Sequence, residues 1–257
     1  MKTQGANATR LGGSDLVRIL TGLLDEEVPP ARQAFADRVG QWLDIGDALN
    51  LYAVLNADLD ADVPVRVGGS AVVLARREFE RVRAALADAI RADGVDGIGK
   101  VRHEWPRPIP ERGSEDTMPD YGPFHRHHLA LQRDLQAQIT TLRGALRATL
   151  ARQSPGHKRL AELDALFETA LGARERNLLA RVPEWLGTRY ASLYRQHCED
   201  LAAKGMTDDP ASWMRAGAWL AVFRADMQAV LLAELALRLQ PAAGLLAALN
   251  QKELDWQ

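Results

Sequence analysis

With 257 residues, 47 % of them hydrophobic and 26 % charged, the chain has an ordinary globular composition and enough apolar mass for a sizeable core. Lys+Arg 32 against Asp+Glu 34 leaves a formal net charge of −2, without the basic excess of a dedicated nucleic-acid binder. Cys198 is the only cysteine, which excludes an intrachain disulfide and a thiolate zinc cluster.

Met1 to Ser14 is polar and glycine-containing, with no apolar h-region. It reads as neither a signal peptide nor an anchor, and residues 1–13 are expected to form a disordered tail. An N-terminal three-helix unit is expected over 14–56. Ser14 or Asp15 caps its first helix, which carries the stripe Leu16, Ile19, Leu20 and Leu23. Asp25-Glu26-Glu27 and the double proline end that helix. Pro30 then suits the first position of a second one, where its missing N–H costs nothing. A step of about 100° per residue puts Phe35, Val39, Trp42 and Leu43 on one face of this second helix. Arg32 and Arg38 fall at the two margins, with stems able to cover apolar surface and guanidinium groups able to reach a partner. Tryptophan and arginine are the commonest binding hot spots, so Arg32, Arg38 and Trp42 are the candidate partner-binding residues. Asp44 is the expected N-cap of the third helix, whose apolar residues are Ile45, Leu49, Tyr52 and Leu55.

A linker and helix occupy 57–92. In that helix Val72, Phe79, Val82, Leu86 and Ile90 form the apolar stripe, and Arg76, Arg77, Arg81, Arg83 and Arg91 dominate the other faces. Residues 93–123 read as an irregular loop in which Trp105-Pro106-Arg107-Pro108-Ile109-Pro110 favours an extended conformation. A C-terminal helical bundle follows over 124–257. Phe124, His128, Leu131, Leu135, Ile139, Leu142, Leu146 and Leu150 step by three or four along its first long helix. Ser154-Pro155 restarts the chain as N-cap and first helical residue. Pro183 opens another helix, and Gly205 to Pro210 is a turn. A long apolar helix is expected from about Ala211 to Leu239, stopped by Pro241 and followed by a short amphipathic one. The apolar window Ala216 to Leu239 contains Arg224, Asp226, Glu234 and Arg238. Each such charge costs about 2.5–3.5 kcal/mol at a bilayer centre, so a chain that does not itself span the membrane is expected, in a reducing cytoplasm. The expected class is all-α: a multi-helix bundle with a small N-terminal unit and long C-terminal helices.

Chemistry-bearing patterns are few. His125 and His128 sit one helical turn apart, but the spacing is not that of HExxH and no nearby carboxylate or cysteine completes a metal set. His197 and Cys198 are adjacent on a helix and point about 100° apart, so they cannot pair as base and thiolate. Cys198 is instead expected to be a buried structural residue. No G-x-S-x-G, P-loop or G-x-G-x-x-G occurs, so no catalytic residue, cofactor or metal is assigned.

The order Leu16-x-Arg18-x-Leu20, then Val28-Pro29-x-x-Arg32-Gln33-x-Phe35-Ala36-Asp37-Arg38-Val39-Gly40-Gln41-Trp42-Leu43, then Asp47-Ala48-x-x-Leu51, resembles the F component of type III Zorya anti-phage defence systems. The match is clearest in the N-terminal third. The resemblance implies a soluble partner or effector of a membrane-embedded, proton-driven motor pair, acting with a second cytoplasmic accessory protein. No catalytic motif travels with it. The expectation is a non-catalytic accessory protein working through protein contacts. The alternative is a nucleic-acid-binding effector using Arg76, Arg77, Arg81, Arg83 and Arg91 with the loop arginines Arg102, Arg107 and Arg112.

Overall fold

A computed structural model of the chain describes residues 15–24, 40–57, 69–92, 104–106 and 118–251. Among them are seven α-helices and no strand: α1 (Asp15–Leu24), α2 (Ile45–Asn56), α3 (Gly69–Arg91), α4 (Gly122–Leu150), α5 (Pro155–Leu179), α6 (Val182–Lys204) and α7 (Trp219–Ala248). The all-α expectation is borne out. The tail over 1–13, the arginines at 32, 38, 102, 107 and 112, and Trp256 lie outside the described residues.

The architecture follows from α7. Its buried residues include Leu220, Phe223, Met227, Val230, Leu231, Leu235, Leu239 and Leu245, which together span about half of its circumference. An apolar face this wide has to be covered by several neighbours. Here α7 packs against α1, α3, α4, α5 and α6. By length and composition it is the one described helix able to cross a membrane, and 50 % of the qualifying window is buried inside the fold.

The long helix α4 is the second spine. Pro123 lies in its first turn, and Phe124, His128, Leu131, Leu135, Ile139, Leu142, Leu146 and Leu150 are all buried, as their spacing predicts. On α3, Phe79, Val82, Leu86 and Ile90 bury against α4 and α7. The Ser154 hydroxyl caps α5 by accepting from the His157 N–H. Arg143 and Arg147 on α4 then clamp Asp164 and Glu168 on α5, with the closest contacts at 2.7 and 2.6 Å. Burial lowers the affinity of the Arg143 guanidinium for its proton. The hydrogen bonds that Arg143 donates to Asp164 and the charges of Asp164, Glu168 and Glu175 outweigh that, and its pKa rises. α6 ends on Gly205, whose φ of 63° is the left-handed cap geometry that suits glycine.

One organisational expectation is corrected. The chain does not form one helix from Ala211 to Leu239 with a stop at Pro241. Residues 210–212 are a 3₁₀ turn, Gly217 takes a φ of 81°, and α7 starts at Trp219 and runs through Pro241 to Ala248. Pro241 is exposed, so its ring faces outward, while Ala242 and Leu245 beyond it are buried and hold the chain in the helix. The expected three-helix unit over 14–56 is described only in part. α1 lays Leu16 and Leu20 on α6 and α7, and α2 packs on α5. The longer helices offer a ten-residue amphipathic segment more apolar surface than another short helix can. The second helix of that unit is described only at residues 40–42, which are helical.

Candidate functional site

The predicted apolar residues of α2 do not enter the core. Ile45 is 81 % exposed, Leu49 63 % and Tyr52 68 %, and no residue of α2 is fully buried. The half-buried residues are Asp47, Leu51 and Val54, on the side that packs against α5. The helix therefore has two apolar sides, and the one carrying Ile45, Leu49 and Tyr52 turns outward. Leu55, 43 % exposed, lies at its margin.

This outward face is held in place rather than frayed. Asp44 and Asp47 form a capping box: the Asp47 N–H donates to Asp44 Oδ1 at 2.7 Å, and the Asp44 N–H donates to Asp47 Oδ2 at 3.3 Å. At the other end, Arg159 of α5 donates to the Ala57 carbonyl. The half-buried Trp42 lies just before the cap, with the Arg174 guanidinium 4.6 Å from its ring centroid. Trp42 is thus paired with an arginine of α5, a contact that sequence proximity to Arg32 and Arg38 does not suggest.

The arginines of α3 are largely matched by acids one turn away. Arg81 pairs with Glu78 at 2.5 Å, Arg83 with Glu80 at 2.6 Å and Arg91 with Asp88 at 3.9 Å. Arg76 donates to Asn250 Oδ1 at 2.8 Å. The hydrogen bond from Arg81 holds the Glu78 carboxyl below its ordinary range. The result is a solvated face of alternating sign. Beside it, an open groove of about 270 Å³ runs between α3 and α4, lined chiefly by Leu74, Leu142, Ala145 and Leu146.

Sequence reasoning missed a polar cluster deep in the bundle. Glu234 on α7 is 0 % exposed. Its Oε1 accepts from Arg238 at 2.8 and 2.9 Å, and its Oε2 accepts from the Gln132 amide at 2.9 Å. Gln132 also donates to the Leu179 carbonyl, and Arg238 donates to Gln136 Oε1. His128 Nε2 stands 3.7 Å from Glu234 Oε2, beyond hydrogen-bond distance, and both ring nitrogens are buried without a hydrogen-bond partner. Burial pushes the Glu234 carboxyl up, but His128, the Arg238 charge and the Gln132 amide outweigh it and hold the group below the usual carboxylate range. The signal was present in Glu234 and Arg238, four residues apart on the most apolar helix, with glutamines at the same spacing on α4.

The other candidates separate. His125 is half-buried with its ring 6.0 Å from Tyr121, so it does not join His128 in one site. Among the described residues no group of three or more His, Cys, Asp or Glu is arranged to hold a metal. His197 Nε2 meets Asp208 Oδ1 at 2.8 Å, and the same oxygen accepts from the Trp213 indole at 2.8 Å. This contact pins the 206–218 connection to α6. Cys198 is exposed, which corrects the expectation of a buried cysteine: its neighbour His197 takes the inward position.

No curated protein and no solved structure matches the chain. One family model matches residues 2–251, nearly the whole sequence. The chain belongs to the family described as a protein of unknown function, DUF3348.

Proposed function

We propose that this protein is a non-catalytic, cytoplasmic accessory protein of a motor-linked anti-phage defence system and acts through protein contacts. The observation that carries the contact role is the outward apolar face of α2. Ile45, Leu49 and Tyr52 stand exposed on a helix that is capped at one end and tied to α5 at both. Side chains of this kind in water, on a braced element, are what a binding surface needs. The defence context rests on the resemblance of the N-terminal third, whose last motif, Asp47-Ala48-x-x-Leu51, lies on α2 itself. The partners are then the cytoplasmic portions of the motor pair and the second accessory protein.

The test is co-purification of the full chain with those components, with and without Leu49→Asp. Loss of the complex in a variant that still melts at the wild-type temperature supports the reading. An unchanged complex, or none with the wild type, overturns it. Nucleic-acid binding is the weaker reading, because most of the α3 arginines it needs are engaged by Glu78, Glu80, Asp88 and Asn250.

A further inference from the structure

We infer that the open groove between α3 and α4 is the seat of the chain's own segment 252–257, with Leu254 and Trp256 as the side chains that fill it. These six residues lie outside the described ones, and the inference is independent of the reading of α2.

The groove is apolar along its length. Leu74 and Ala75 of α3 line one wall, Leu142, Ala145 and Leu146 of α4 the other, and Arg152, just past α4, also borders it. Leu74 is 62 % exposed, so a cover laid over it removes apolar surface from water.

The end of α7 delivers the chain to these walls. Gln153, next to Arg152, donates to the Leu249 carbonyl at 3.3 Å, and Arg76, next to Ala75, donates to Asn250 Oδ1 at 2.8 Å. The residues that lead into 252–257 are thus tied both to α3 and to the turn that ends α4. Followed along α4 from Arg152 to Leu142, the groove is about 15 Å long. Trp256 stands five residues beyond Gln251 and reaches at most about 17 Å from it, enough to pass Arg152 and set its ring against Leu74 and Ala145.

The order Glu253-Leu254-Asp255-Trp256 suits the task. In extended backbone alternate side chains share a face, so Leu254 and Trp256 enter the groove together while Glu253 and Asp255 turn to water. Tryptophan brings the large apolar area that an open groove needs in an anchor. Tethering favours this occupant over a separate partner or a second copy, because a segment joined to the wall by a few residues acts at about millimolar effective concentration.

The test is ¹⁹F NMR of the full chain labelled with 5-fluorotryptophan, the Trp256 resonance being identified by its loss in Trp256→Phe. It is expected to lie more than a linewidth from that of the synthetic peptide Lys252–Gln257, labelled in the same way. Leu74→Asp puts a charge into the groove and is expected to return the resonance to the free-peptide frequency. Ala145→Asp, at an exposed position on the opposite wall, is expected to do the same and serves if the first variant does not fold. A wild-type resonance already at the free-peptide frequency overturns the inference. So does a shifted resonance that neither folded variant moves, since the segment would then sit elsewhere. A shift that disappears on dilution means that the segment comes from a second copy, and this too overturns the intrachain seat.

Discussion

Glu234 and Arg238 lie one turn apart on α7 with carboxylate and guanidinium 2.8 Å from each other, at a point where their helix is enclosed by the rest of the bundle. Their net worth is the difference between a large desolvation cost and a large attraction, so the pair is informative chiefly when one member is removed. Arg238→Ala leaves the Glu234 charge buried with only the Gln132 amide as a hydrogen-bond donor. It is expected to destabilise the fold by about 3–5 kcal/mol in urea unfolding. The double replacement Glu234→Leu with Arg238→Met removes both charges and is expected to cost far less than that single change. Equal losses for the two variants would show that packing volume, not charge pairing, governs the site.

The same carboxylate gives a pH dependence with a definite sign. The Glu234 pKa in the folded protein lies below the ordinary glutamate value, so its contribution is fully present above that ordinary value. Stability is therefore expected to fall as pH drops below about 4.5 towards the folded-state pKa, where the native carboxylate takes up its proton. Melting curves of wild type and Glu234→Gln across this range check it. The wild type should lose stability with acid more steeply than the variant, and parallel curves would exclude Glu234 as the source.

Pro241 removes one N–H from the interior of α7, and the Leu237 carbonyl loses the donor that an ordinary residue would supply. Because the side chain at this position is exposed, Pro241→Ala has no cavity to fill and no contact to break. It is expected to stabilise the protein by about 1–3 kcal/mol, seen as a higher melting temperature. A lower one would show that the proline itself is required to seat Ala242 and Leu245.

Replacing Arg76, Arg77, Arg81, Arg83 and Arg91 together with glutamine tests the nucleic-acid alternative. With Arg81, Arg83 and Arg91 already matched by acids on the same helix, the substitution is expected to leave low-salt DNA binding unchanged in a mobility-shift titration. A salt-sensitive affinity in wild type that disappears in the variant would restore that alternative.

Local signals were readable where one rule governed the outcome. The stripe of α4 has a single apolar face and buries it, and Ser154-Pro155 starts a helix because no competing arrangement satisfies its N–H groups. The sequence was silent where two rules compete. α2 is apolar on both sides, and only the position of α5 decides that Leu51 and Val54 face inward while Ile45, Leu49 and Tyr52 face out. Pro241 signals a stop, yet the burial of Ala242 and Leu245 carries the helix onward. Glu234 and Arg238 look like surface charges until Gln132 and Gln136 of another helix are placed beside them.

The position of α7 bears on how the chain is made. It is translated after every helix it holds together, and its far end is gripped by the turn between α4 and α5. There the His157 ring meets the Ala248 carbonyl at 3.2 Å, and the Gln153 amide donates to the Leu249 carbonyl at 3.3 Å. While residues 219–249 are still inside the ribosome, Leu16, Leu86 and Leu135 have lost their common partner helix and remain in contact with water or chaperone. Completion of this bundle thus waits until α7 has left the ribosome, and a chain truncated by a nonsense codon before Trp219 is expected to be cleared as an unfolded polypeptide rather than accumulate as a shorter protein.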